Sequence, residues 1–142
     1  MDGLALIFWV VHTVYKHSDI TEQIIGAFYT VYNELGHGFL EKVYENTLAY
    51  ENQKRHLVVK QQQHIKVYYD VIIVGEYFAD LLVADKVIVE IKAAENIDEA
   101  HLARLTNYLK ATRFEVGLVL NLGPQPQVKR HIFDQQISTK SV

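Results

Sequence analysis

Two apolar runs, Leu81-Leu82-Val83 and Val87-Ile88-Val89, are separated by three residues, Ala84, Asp85 and Lys86. Runs this short and this apolar, on either side of a polar turn, describe a tight hairpin of two largely buried strands. Asp80 stands directly before the first run, and Glu90-Ile91-Lys92 directly follows the second. Carboxylates and ammoniums among buried strands are unfavourable unless they pair with one another or with a cation. The hairpin and its three charges therefore constrain fold and chemistry together.

Side chains alternate along a strand, so Glu90 and Lys92 share a face and Ile91 points the other way. With a three-residue turn, Val83 pairs with Val87, and counting outward sets Asp80 opposite Glu90. Opposed residues have Cβ atoms roughly 4.5–5.5 Å apart, close enough for two carboxylates to share one divalent cation. Lys92 then lies about one strand repeat away. A two-residue turn would instead turn Asp80 away from Glu90, so the parity of the turn is a sharp test.

A chain of 142 residues is long enough for one domain with a substantial core. Its 49% hydrophobic and 22% charged residues are ordinary for a folded soluble protein. It has no cysteine, which removes disulfides and thiolate metal sites and fits a cytoplasmic setting. The net charge of −3 gives no global basic footprint, so a polyanion would have to be met by a local basic patch or by metal ions. The run from Leu4 to Val11 is strongly apolar. It falls short of the ~20 residues of a membrane span, and Asp2 stands where a secretory leader carries basic residues. Residues 1–18 are therefore expected to form an apolar arm that packs on the domain or a partner subunit. The domain itself is expected over 19–135, with a tail at 136–142.

Asp19-Ile20-Thr21-Glu22 fits a capping box, and Ile20, Ile24, Phe28, Val31 and Leu35 follow at helical spacing up to a stop at Gly36. A second helix is expected from Phe39 to about Lys54, with Phe39, Val43 and Tyr50 on its apolar face and Glu41, Glu45 and Leu48 beside them. Leu57 to Val74 is strand material, with a bend at Asp70 and a break at Gly75. Asp98 can cap a third helix that buries Leu102, Leu105, Tyr108 and Leu109. Glu115 to Leu120 and Val128 to Phe133 read as two further strands around Gly123-Pro124-Gln125-Pro126. The pattern is an α/β layer fold, a sheet flanked by helices.

The second helix opens with Gly38-Phe39-Leu40-Glu41-Lys42-Val43-Tyr44, a G-x-x-E-x-x-Y pattern. With Asp80 and Glu90-Ile91-Lys92, the chain resembles the GxxExxY protein family, placed in the PD-(D/E)XK nuclease superfamily, from about Thr21 to Phe133. Ile24-Ile25-Gly26, Gln62, Tyr108 to Thr112 and Val128-Lys129-Arg130 support the likeness. Two positions depart from it: Arg104 stands where the third helix usually has Gln, and Tyr32 where the first commonly has His. The resemblance implies a restriction-endonuclease-like mixed β-sheet flanked by helices. It also implies a metal-dependent nuclease hydrolysing phosphodiester bonds of DNA, or of RNA.

In that reading Asp80 and Glu90 hold Mg²⁺ or Mn²⁺ through oxygen ligands, Glu41 approaches the same metal, and Lys92 supports the attacking water or the transition state. Without a metal, Lys92 would instead form a salt bridge to Asp80 or Glu90. Arg104, Lys110, Lys129 and Arg130, with Arg113, are candidate contacts to a phosphate backbone; the competing reading for each is a solvated charge. Glu45 reads as solvated, Gln62 as an ordinary polar strand residue, and Tyr44 as a core aromatic with a satisfied hydroxyl. Nucleic acid is the implied partner, and a homodimer suits small nucleases of this fold. The rival from another class is a non-catalytic nucleic-acid- or protein-binding module that keeps the nuclease fold.

Overall fold

The computed structural model describes residues 16–134. Most of the expected N-terminal arm, residues 1–15, and the tail, 136–142, lie outside the described residues. Helix α1 spans Ser18–Leu35 and α2 spans Glu41–Lys54. Strands β1, Val59–Tyr69, β2, Ile72–Val83, and β3, Val87–Lys92, follow. Helix α3, Glu99–Ala111, leads to β4, Val116–Leu122, and β5, Pro126–Ile132. The sheet runs β1-β2-β3-β4-β5. Only β3 and β4 pair in parallel, and α3 makes the crossover between them.

Side-chain alternation gives the sheet two apolar faces, each with its own helices. On one, Ile24, Phe28 and Val31 of α1 and Tyr44, Leu48 and Ala49 of α2 meet Leu81, Val83, Val87, Val89 and Ile91. On the other, Leu105, Tyr108 and Leu109 of α3 meet Ile65, Ala79, Leu82, Ile88 and Val119. Gly117 allows α3 to seat closely, because a Cβ there would collide with the side chain of Leu105. Among the described residues no helix is long and apolar enough to cross a membrane.

The element boundaries differ from the sequence expectation in ways that have local causes. Helix α1 is not started by a capping box at Asp19. His17, in the left-handed region at φ 56°, turns the chain, and its carbonyl accepts from the N–H groups of Ile20 and Thr21. Asp19 instead meets the helix dipole in the first turn. Gly75 does not break the strand. The reversal is made by the two residues between Tyr69 and Ile72, Asp70 (φ 54°) and Val71, and β2 continues through Gly75 beside a bulge that leaves Val74 out of register. The face of α2 is also rotated from expectation. Tyr44, Glu45, Leu48, Ala49 and Asn52 are buried, whereas Phe39, Val43 and Tyr50 are exposed. Two polar residues on the buried face, Glu45 and Asn52, make the helical stripe too weak to read.

The G-x-x-E-x-x-Y segment forms the joint between α1 and α2. Gly36 and Gly38 have φ of 66° and 113°, values that favour glycine. The Tyr44 hydroxyl donates to the Gly36 carbonyl at 2.6 Å and accepts from the Phe39 N–H at 3.2 Å. Tyr44 is therefore a core aromatic with a satisfied hydroxyl. Tyr44→Phe leaves both backbone groups short of a partner and should cost about 1–2 kcal/mol. Thermal unfolding should show this as a drop of several degrees in Tm; an unchanged Tm would mean that the joint does not depend on the hydroxyl.

Candidate active site

The β2–β3 turn comprises Ala84, Asp85 and Lys86, with Ala84 and Asp85 at φ 55° and 54° and the Lys86 N–H donating to the Val83 carbonyl. Val83 pairs with Val87, Leu82 with Ile88 and Leu81 with Val89. The ladder ends there, and Asp80 and Glu90, which the parity of a three-residue turn sets next, meet through their side chains. Here side chains replace the backbone ladder. The Asp80 N–H donates to Glu90 Oε1 at 3.1 Å, and the Ile91 N–H donates to Asp80 Oδ2 at 2.7 Å. Each carboxylate thus holds the backbone of the opposite strand.

Asp80 also marks a change of sheet face. Ala79 and Leu82 both belong to the core under α3, while Leu81 belongs to the core under α1 and α2. Strict alternation would put Ala79 and Leu81 on one face. Opposite on β1 the same shift occurs between Val59 and Ile65, with Gln62 at φ 53° between them. The sheet opens at this shared irregularity, and Asp80 and Gln62 stand in the opening.

Around the pair is a network that the sequence pattern did not show. Glu45, expected to be solvated, is 3% exposed. It accepts from Gln62 at 2.6 Å, Gln61 at 2.7 Å and Lys42 at 2.9 Å. Gln62, expected to be an ordinary strand residue, bridges Glu45 to Asp80 Oδ1 through a second, long contact of 3.5 Å. A buried glutamate on a helix of low apolar contrast leaves no periodic signal; the Gln61-Gln62-Gln63 run was the available hint. Asn121, buried in β4, was also missed, although a lone amide in Val116–Leu122 is conspicuous. It bonds both the N–H and the carbonyl of Ala94 at 2.9 Å, fixing the loop that leaves Lys92. Gly123 completes the fit, since a Cβ there would overlap the Ala94 carbonyl oxygen.

The electrostatics of the pair are those of desolvated like charges. Burial raises the Glu90 carboxyl, with the Asp80 charge adding to it, to a pKa of about 8. Burial likewise raises Asp80; the Ile91 N–H works against that shift, and Glu45 adds to it. Tyr108 on α3 is raised by burial and by the charge of Glu90, while Arg104, one turn earlier, favours the ionised forms of both Glu90 and Tyr108. Lys92 acts on both carboxylates through its charge but forms no ion pair within 4 Å among the described residues. The salt bridge weighed for a metal-free site is thus not formed, and the Lys92 ammonium has no ion-pair partner among the described residues.

The donor set suits a hard cation. Glu90 Oε2 has no hydrogen-bond partner among the described residues, and Asp80 Oδ1 has only the long contact to Gln62. Two partly free carboxylate oxygens with unfavourable mutual charge are what an oxygen-liganded divalent ion neutralises. The three-carboxylate set expected from sequence is not assembled. No group of three or more His, Cys, Asp or Glu placed to share a metal occurs among the described residues. Glu41 Oε2 instead accepts from the Ala93 N–H at 3.1 Å, because Glu41 opens α2 beside the loop after β3. The cation would therefore rest on Asp80 and Glu90 alone, completed by water or phosphate.

The predicted basic contacts separate into two groups. Arg104 and Lys110 line a cleft of about 760 Å³ between α3 and the β1–β2 hairpin, and Lys129 is exposed on β5. Arg130, by contrast, is tied to the Thr21 hydroxyl and the Lys16 carbonyl on the α1 side of the sheet. Arg113 grips both oxygens of Asp85 at 2.9 and 3.0 Å and lies over the Phe114 ring. Both guanidiniums thus already have partners within the protein, unlike those of the cleft.

A five-stranded mixed sheet between helices, with two carboxylates and a lysine where its central strands part, defines a restriction-endonuclease-like α/β domain. A family model of the PD-(D/E)XK nuclease superfamily matches residues 18–131, and the chain belongs to that superfamily. No curated protein and no solved structure matches the chain. Nucleases of the superfamily generally use divalent metal ions.

Proposed function

We propose that this protein is a cytoplasmic metal-dependent nuclease of the GxxExxY group, hydrolysing phosphodiester bonds of DNA, or of RNA, with Mg²⁺ or Mn²⁺. The observation that carries this reading is the crossed Asp80–Glu90 pair, desolvated, with the charge of Lys92 acting on it and no ion pair to Lys92 among the described residues. The bound cation would supply Lewis-acid polarisation of the scissile phosphate and a more acidic water. Asp80 and Glu90 would hold it while bracing the two strands. Lys92 neutralises charge that develops on the phosphate. Glu45 and Gln62 orient Asp80, and Glu41 fixes the loop at Ala93.

One observation favours the non-catalytic alternative: Arg104 already places a permanent cation in the field of Glu90. The two readings separate on plasmid, linear and single-stranded DNA and on RNA, each incubated with Mg²⁺, Mn²⁺ or EDTA. Cleavage should require the metal, and Lys92→Ala should slow it about 10²–10³-fold. Absence of metal-dependent cleavage on every substrate, or a Lys92→Ala protein as active as the parent, would reject the nuclease in favour of the binding module.

A further inference from the structure

We propose that the cleft beside Glu90 seats an unpaired nucleobase, so that the substrate is a single-stranded or locally unpaired nucleic acid rather than an intact duplex. This rests on the nuclease reading above and gives it a substrate class. Arg104 and Tyr108 line the cleft, and Tyr108 shares a buried cluster with Ala79, the residue before Asp80, and with Val119, the register partner of Glu90, so the cleft lies on the α3 side of the sheet next to the carboxylate pair. Its volume of about 760 Å³ is within the roughly 300–1,000 Å³ of pockets that enclose small molecules. A space of that size takes a nucleotide or two.

The lining has the chemistry of a stacking site. Tyr68 and Tyr77 on the hairpin border the open side of the cleft and are 58% and 50% exposed. Tyr77 leans against Tyr108, with ring centroids 5.8 Å apart and planes tilted by 42°. Exposed, braced aromatic rings are what bases of an unpaired strand stack on, irrespective of sequence. On the facing wall, Arg104, Asn107 and Lys110 form no side-chain hydrogen bond or ion pair among the described residues. With a rise of 1.5 Å per residue, Arg104 and Lys110 stand about 9 Å apart along the helix axis, a donor ladder for base edges and phosphates. Ala100, Ala103 and Ala111 keep that wall low.

Charge points the same way. Duplex binding draws most of its affinity from many phosphate contacts. This chain carries a net charge of −3, and Arg113 and Arg130 are committed to the fold. A stacking cleft with a few cations asks less of the electrostatics than a duplex-wide basic face.

Fluorescence anisotropy in EDTA reads binding without cleavage. Labelled 12-residue single strands of DNA and of RNA are compared with the DNA duplex of the same sequence. At least one single strand should bind tenfold or more tighter than the duplex. Tyr77→Ala should weaken that binding by about fivefold or more, since stacking contributes about 1–3 kcal/mol per base. Tyr77→Phe should keep it, as should Lys54→Ala, a cation removed from α2. If Tyr77→Ala fails to fold by circular dichroism, Tyr68→Ala and Arg104→Gln are read in its place. Duplex affinity equal to or above that of both single strands, or folded cleft variants that bind as the parent does, would overturn the proposal. A protein that cuts duplex DNA without a single-strand preference defeats this inference and keeps the nuclease. A protein that prefers single strands but never cuts keeps the cleft and defeats the nuclease.

Discussion

Asp80→Asn should abolish metal-dependent cleavage while making the metal-free protein more stable at pH 8. The substitution keeps the shape of the side chain and an oxygen to accept the Ile91 N–H, now 2.7 Å from Asp80 Oδ2. It removes one of the two charges that would hold the cation, and transition-state stabilisation of several kcal/mol goes with it. At 1.36 kcal/mol per tenfold, that is a fall in rate of about a thousandfold or more. The stability gain has a separate origin. Asp80 is the charged neighbour that helps push Glu90 up, so neutralising Asp80 lets Glu90 ionise in its buried position with less opposition. Asp80→Ala should differ, because it strands the Ile91 N–H at a cost of about 1–3 kcal/mol. The paired measurement is cleavage rate and metal-free Tm for both variants at pH 8. Asn activity within tenfold of the parent would remove Asp80 from the metal site. An Asn Tm below that of the parent would show that its negative charge is not under strain.

The core of this site was legible because the hairpin is governed by a rule of parity. Three residues between Val83 and Val87 bring Asp80 and Glu90 to the end of the ladder together, where their side chains meet the opposite strands. The residues that could not be read act through exceptions to periodicity. Gln62 reaches Asp80 because its backbone is in the left-handed region at φ 53°, which shifts the face of β1 between Val59 and Ile65. Glu45 is buried because three donors converge on it from two elements, and such a sink for a charge exists only once α2 and β1 are packed together. Arg130 is the converse case. Its position in a basic tripeptide suggested phosphate, yet residues of even number on β5 face α1, where Thr21 and Lys16 take its guanidinium. Glu41 was expected to approach the metal, but its partner is the Ala93 N–H, in the loop after β3 that Asn121 clamps.

Stabilisation by Mg²⁺ or Mn²⁺ should grow with pH, from little at pH 5 to a maximum above pH 8, and Glu90→Gln should flatten that dependence. Glu90 goes from an ordinary value of 4.5 in the unfolded chain to about 8 in the folded one. Between these limits the folded state keeps a proton that the unfolded state has lost, so the metal-free protein loses stability as pH rises through that window. Below pH 4.5 both states hold the proton and the penalty vanishes; above about 8 both have released it and the penalty is complete. Asp80, also raised, adds a contribution of the same sign. A divalent ion on the pair competes with the Glu90 proton, so its apparent affinity should climb by up to about tenfold per pH unit until Glu90 ionises on its own. Metal present in excess of its dissociation constant then stabilises the fold by mass action, and most strongly where the metal-free protein is weakest. Tm measured from pH 5 to 9, with and without millimolar metal, tests both halves. In Glu90→Gln the metal-free curve should lose most of its decline and the metal-induced rise should disappear. A metal-induced shift that is as large at pH 5 as at pH 8 would mean the ion binds elsewhere, because no proton on Glu90 would then stand in its way.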